Sequence, residues 1–363
     1  MSGIDLKQFV DINIKSHVSS VVNGTRDTIV LFTSEGIVGT QKLISSMSQA
    51  SSTYSASTAP NTLAYLTMYF NNGGVNVLVI EGTAYTDITA ETIANLDNSY
   101  IGVAYAASNE NVEDVYAALK AIAQTREASA NIYGINEKII LASTKVKTDS
   151  DLVKNFAVKY SNVQGAEMTM AAYLSQVNVY GVDTIYDYAF TKEVIDEEPI
   201  TNTEFTQLMN NNINVDADLA NAVRNCGGNC KDGSDLVNTY VKIILHQTLT
   251  DVLVNLMSQK LKGSIGLSKI YTAISQELEK YLACGYLTTD KIWTDETLTT
   301  VKNNVTYTII EKGTPLTNGY NITVLPMSSL SQTDKAAHKA PAIYVIIADQ
   351  YGIRHITING EVI

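Results

Sequence analysis

Four histidines and three cysteines are the residues of this chain best suited to hold a metal or carry redox chemistry, and their spacing favours neither. His17, His246, His338 and His355 lie far apart, and none sits in a His-x-x-x-His or similar ligand spacing. They read as ordinary surface or core histidines. Cys226 and Cys230 are separated by three residues rather than the two of a zinc ribbon. No second pair follows, and Cys284 would complete only a poor site, so the three are expected to be structural thiols of loops. The stretch Gly263-Ser264-Ile265-Gly266-Leu267-Ser268-Lys269 faintly suggests a phosphate loop. It lacks the Gly-Lys-Ser/Thr order, and a turn connecting two helices is expected there instead. No Gly-x-Ser-x-Gly elbow occurs, and Asp196-Glu197-Glu198 suits a solvated loop better than a general acid/base pair. No catalytic residue, metal site or cofactor is predicted.

Composition turns attention to surfaces. The chain has 363 residues, enough for one large or two moderate domains, and 45% of them are apolar while only 17% are charged. A surface so sparse in charge and rich in Asn, Thr, Ser and Tyr suits broad protein contacts. The 37 acidic residues outnumber the 25 basic ones, leaving −12, which repels phosphate backbones and argues against nucleic acid and anionic lipid as partners. The first residues lack a basic segment followed by an apolar stretch, and no run approaches a bilayer span, so synthesis in the cytoplasm without membrane insertion is expected.

The elements that position everything else alternate from Thr28 to Ala142. Strand-like runs occur at Thr28–Phe32, Val75–Ile80, Ile101–Tyr105 and Lys138–Ala142. Between them Leu63, Leu66 and Phe70 recur at helical spacing before Gly73-Gly74, and Val112, Val115, Tyr116, Leu119 and Ile122 mark another helix. This alternation predicts an α/β fold with a mixed β-sheet flanked by helices. Gly165 to Val179 reads as helix, and Thr184 to Phe190 as strand. Leu236 to Lys260 and Ile270 to Ala283 are amphipathic helices, the second ending at Gly285, and the chain is β-rich from Val305.

Both ends alternate apolar and polar residues. Val10, Ile12 and Ile14 do so near the start, and Ile356, Ile358, Val362 and Ile363 fall in the final nine residues, which read as another strand. Terminal strands must be tied into a sheet to avoid fraying, and an unpaired edge recruits another molecule. Extended N- and C-terminal β-arms that pair between subunits are therefore expected. The division is an arm at 1–24, a body at 25–345 and an arm at 346–363.

The segment Leu236 to Trp293 resembles the contractile-tail sheath proteins of myophages, in the branch with a compact, undecorated body. The likeness rests on the two helices in order, closing on Gly285-Tyr286-Leu287-Thr288-Thr289-Asp290-Lys291-Ile292-Trp293. It continues through Gly319-Tyr320-Asn321-Ile322-Thr323-Val324-Leu325-Pro326 and Ser331 to Pro341, with its Lys339-Ala340-Pro341 ending. The Cys226-Gly227-Gly228-Asn229-Cys230 loop departs from the family pattern.

The resemblance implies a virion structural protein of the tail, a helical homo-polymer of hexameric rings stacked around a tail tube, with tube, baseplate and tail terminator proteins as partners. It implies arms that pair with neighbouring subunits and a contraction that drives the tube through the host envelope. It also implies that the region around Ile270, Glu277 and Glu279 faces the tube. Two alternatives stay open at this point: another virion component such as tube, baseplate or capsid, and an α/β enzyme with an unrecognised site.

Overall fold

The four apolar runs become central strands of one sheet because they can be buried on both faces, as parallel strands flanked by helices must be. A computed structural model of the chain describes residues 13–14, 28–96, 100, 102–128, 138–219, 221–257, 259 and 261–350. In order, the first half contains β1 (Asn13–Ile14), β2 (Thr28–Phe32), β3 (Gln41–Ile44), α1 (Met47–Thr53), α2 (Pro60–Asn71), β4 (Asn76–Ile80), α3 (Ala90–Ala94), β5 (Gly102–Tyr105), α4 (Val112–Ala128) and β6 (Ile139–Thr144). Then come β7 (Phe156–Tyr160), α5 (Glu167–Ser175), α6 (Asn202–Asn210), β8 (Asn214–Asp218), β9 (Val223–Cys226), α7 (Leu236–Met257) and α8 (Gly263–Ala283). The chain continues through β10 (Leu298–Lys302), β11 (Val305–Ile310), β12 (Tyr320–Val324), α9 (Gln332–Ala336) and β13 (Ile343–Ile347).

Eight strands form the main sheet in the order β3-β4-β2-β5-β6-β7-β8-β9. The six inner strands are parallel, and β3 and β9 close the two edges antiparallel. The strand order reverses direction at β2, so right-handed crossovers place α2 and α4 on opposite faces. The mixed α/β architecture expected from the alternation is what forms.

Apolar residues of this sheet, of α7 and α8, and of β13 through Val345 share one continuous core. A smaller cluster of Ile309, Ile310, Leu316, Ile346 and Ala348 sits under the β10–β11 hairpin. That hairpin turns at Asn303-Asn304, both with positive φ, as a tight two-residue turn requires.

Two expectations change. Thr184–Phe190 is not a strand: Asp183 and Phe190 take positive φ, and the intervening chain bonds to the end of α8 through Thr184 N–H and Ile185 N–H to Cys284 O. Gly263–Lys269 is not a connecting turn but the first turns of α8, where Gly266 lets the helix approach Leu261, whose backbone lies 3.1 Å from the site of a Cβ. Ile346 and Ala348, at the start of the expected C-terminal arm, are buried in the smaller cluster. The Cys-Gly-Gly-Asn-Cys loop closes on Asn214, whose Oδ1 accepts from Gly228 and Asn229 N–H. Gly227 sits there at φ 115, with Asn214 Oδ1 only 2.6 Å from where a Cβ would stand. Cys226, Cys230 and Cys284 are free and buried.

Candidate assembly surface

The strand β13 is built from Ile343-Tyr344-Val345-Ile346-Ile347, a β-branched run that can be buried on both faces. Val345 joins the main core and Ile346 the smaller cluster, which fixes its register. One edge pairs antiparallel with β12, from Tyr320 opposite Ile347 to Val324 opposite Ile343. The other edge receives β1 in parallel, with Asn13 opposite Tyr344 and Ile14 opposite Val345. A segment remote in sequence thus completes the small sheet as its third strand.

Beyond β13 the chain is pinned before it leaves the described residues. Ala348 N–H bonds to Gly319 O at 2.8 Å, and Gln350 N–H to Tyr286 O at 2.9 Å. The Asp349 carboxylate lies 3.0 Å from Lys242 Nζ and 3.3 Å from Lys291 Nζ. Burial opposes its ionisation, but the two ammonium groups outweigh that and hold its pKa below the usual carboxylate range. A segment continuing past Gln350 therefore starts from a fixed point on α7 and the 286–291 loop.

The far edge of the main sheet is covered. Phe190 N–H bonds to Asn225 O, Asn225 N–H to Thr191 O, and Glu193 N–H to Val223 O, so residues 190–193 lie along β9. A buried ion cluster fastens this cover. Lys159 of β7 pairs with Glu193 and lies 2.9 Å from Asp216 Oδ1 of β8, and its Nζ also donates to Thr169 Oγ1 at 2.6 Å. Tyr188 O–H donates to Glu193.

One ammonium cannot balance two carboxylates, and burial first, then Glu193, pushes the Asp216 carboxyl up to about 7 against the pull of Lys159. Neither Asp216 oxygen takes a well-aligned hydrogen bond, although Oδ1 is within ion-pair distance of Lys159. The Glu193 carboxyl is shifted down: burial opposes this, and Lys159 prevails.

Of the residues singled out in the sequence, Ile14 lies in β1, while Val10, Ile12, Ile356, Ile358, Val362 and Ile363 lie outside the described residues. Of the expected tube-facing set, Ile270 and Glu277 are buried. Ile270, Ile274, Glu277, Leu278 and Tyr281 fall on one stripe of α8 and are turned into the protomer. Glu279, on the other side of that helix, is exposed.

His246 is buried in α7 and His338 is exposed, whereas His17 and His355 lie outside the described residues. Among the described residues no group of three His, Cys, Asp or Glu side chains could hold a metal, and no helix is long and apolar enough to cross a membrane. The sequence reading missed the partners Tyr344 and Val345, although the run Ile343–Ile347 signals a strand. It also missed Lys159, Glu193 and Asp216, which nothing in one-dimensional spacing brings together.

Residues 239–362 match the family described as E217 tail sheath protein gp31-like, C-terminal domain. No curated protein matches the chain in sequence. Among solved structures, a chain of the anti-feeding prophage baseplate, 6-fold symmetrised, is similar with TM-score 0.64 at 16% identity, over 97% of this chain and 98% of that one. A chain of the anti-feeding prophage helical sheath in the contracted state gives TM-score 0.61 at 15% identity, over 99% and 98%. The sheath tail protein from Desulfitobacterium hafniense gives 0.51 at 10% identity, over 78% and 91%. Residues 239–362 are thus similar to the C-terminal domain of a tail sheath family, and the chain as a whole is similar in fold to the anti-feeding prophage sheath and baseplate chains.

Proposed function

We propose that this chain is the structural subunit of a contractile tail sheath, assembling as stacked six-fold rings around a tail tube, and that its terminal segments are exchanged between copies. The observation that carries the reading is β1 on β13: a two-residue strand completes the small sheet, yet residues 15–27 separate it from β2. Thirteen residues span at most roughly 45 Å at 3.3–3.6 Å each, and two paired residues contribute little to holding the strand on its own body. The same pairing made by a neighbour's strand costs the fold nothing and links two bodies, which is the physics of domain swapping. The similarity to the contracted anti-feeding prophage sheath supports the same reading.

Contraction on this account uses no nucleotide. Bodies relax between two packings while exchanged strands keep them connected, and added apolar burial at roughly 25 cal/mol per Å² sums over many copies. The shallow cleft beside α2 is lined, from Ala56 and Pro60 to Gln164 and Val194, by residues without titratable side chains. Baseplate and terminator proteins would meet the ends of the polymer, and the exposed face of α8 with Glu279 would face the tube.

Negative-stain images of the purified protein test the class. Open tubes or stacked rings are expected, and dispersed monomers at high concentration would overturn the reading. With tube protein added, Glu279→Lys should keep the polymer but reduce the tube protein that sediments with it. Unchanged co-sedimentation would remove this face from the tube contact.

A further inference from the structure

Strand exchange joins the right surfaces only if arms do not add to the wrong sheet edge. Among the described residues the main sheet ends at β3, a strand with the exposed apolar Leu43, next to a loop whose Ile37 and Val38 are 72% and 80% exposed. Such an edge is a ready acceptor for a foreign strand. Its other end needs no guard, because residues 190–193 already cover β9.

At β3 the guard is a side chain. The Gln49 amide Nε2 donates to Leu43 O at 2.8 Å, and its Oε1 accepts from Ser45 N–H at 2.9 Å. In a parallel ladder one residue of the added strand makes this same pair of bonds, giving its N–H to residue i−1 and taking one from residue i+1. The carboxamide therefore occupies the place of one strand residue.

Its position is fixed from below. Gln49 lies in the first turn of α1, whose N-cap Ser46 accepts from Gln49 N–H at 3.2 Å, so the side chain folds back over the edge from an anchored backbone. The adjoining loop is equally fixed. Glu81 accepts from Ile37 N–H and Lys42 Nζ, and Glu35 accepts from the N–H groups of Asn61 and Thr62 at the start of α2.

We propose that Gln49 determines where strand exchange occurs: by filling the Leu43–Ser45 position it excludes the arm of a second copy from the β3 edge and leaves the β12–β13 sheet as the acceptor. This deepens the arm-exchange reading and rests on it for the identity of the arm.

The test uses the full-length protein and a fluorescein-labelled peptide with the sequence of residues 355–363. Gln49→Ala should bind one more peptide per chain than the unsubstituted protein and gain hydrogen-exchange protection over residues 41–46. Gln49→Glu keeps the acceptor for Ser45 but loses the donor to Leu43, and should bind the extra peptide less tightly than Gln49→Ala. The Ser46 cap is untouched, and circular dichroism of both variants checks that the fold persists. If Gln49→Ala gains neither a peptide nor protection at 41–46, the guard is overturned. If it gains both while the unsubstituted protein binds no peptide at all, the guard stands and the acceptor role of the C-terminal sheet fails.

Discussion

Lys159→Met is expected to destabilise the protein by about 3–5 kcal/mol near pH 8, the usual cost of removing one partner from a buried ion pair. Lys159 is wholly buried between Glu193 and Asp216, and the methionine that replaces it fills space without supplying charge. Two carboxyl groups would then face each other with no cation. The loss should shrink as the pH falls, because each carboxyl can take up a proton and become neutral.

In the unsubstituted protein the sign follows from Asp216. Its folded pKa, about 7, lies above the ordinary value, so the native state binds a proton that the unfolded chain releases. That contribution is fully present below the ordinary carboxylate range and is lost as the pH rises through about 7. Glu193 acts in the opposite sense, since its lowered pKa contributes stability that is lost on acidification. Urea unfolding of the two proteins at pH 6 and pH 8 checks the prediction. A difference under about 1 kcal/mol at both values, the scale of an exposed pair, would mean the cluster does not fasten the 190–193 cover.

Removal of Thr357 to Ile363 is expected to abolish polymerisation while leaving a folded monomer. Stability should persist because the small sheet and its core end by Ala348, and Asp349 fixes the following backbone through Lys242 and Lys291. Assembly should fail because each arm contributes only a few cross-strand pairs, about 0.2–1 kcal/mol apiece, and depends on many copies acting together. Sedimentation velocity and circular dichroism read the two outcomes separately. Tubes or large oligomers formed by the shortened chain would remove the C-terminal segment from the account.

Much of the body was legible because its strands are buried on both faces and so appear as uninterrupted apolar runs. Thr28–Phe32 and Lys138–Ala142 are of this kind, whereas of the Leu63, Leu66 and Phe70 spacing in α2 only Leu66 is buried, beside Thr62, Tyr65 and Tyr69. What could not be read depends on contacts between distant segments. β7 hides behind Lys159, a charged residue in a fully buried strand, because its counter-charges lie 34 and 57 positions further on.

The short edges β3 and β9 lack alternation strong enough to mark a strand. Thr184–Phe190 carries strand-forming residues, but two positive-φ positions turn it into a strap. At the assembly surface Ile14 was visible as part of an alternating end. Its partner strand could be recognised only as apolar, and that the two pair in parallel is a matter of topology.

The exchange of β1 between copies can be measured most directly by a covalent bridge between its paired positions. Asn13→Cys and Tyr344→Cys, combined in one chain, place two thiols opposite each other in the β1–β13 ladder. Adjacent strands lie about 4.8 Å apart, within the range of roughly 4.4–6.8 Å over which a disulfide closes. The native thiols are buried and do not compete. Oxidation of the assembled protein, followed by a non-reducing denaturing gel, should give a ladder of covalent oligomers. Bridged chains that all run at monomer size would show that each β1 stays on its own body, and would contradict the account.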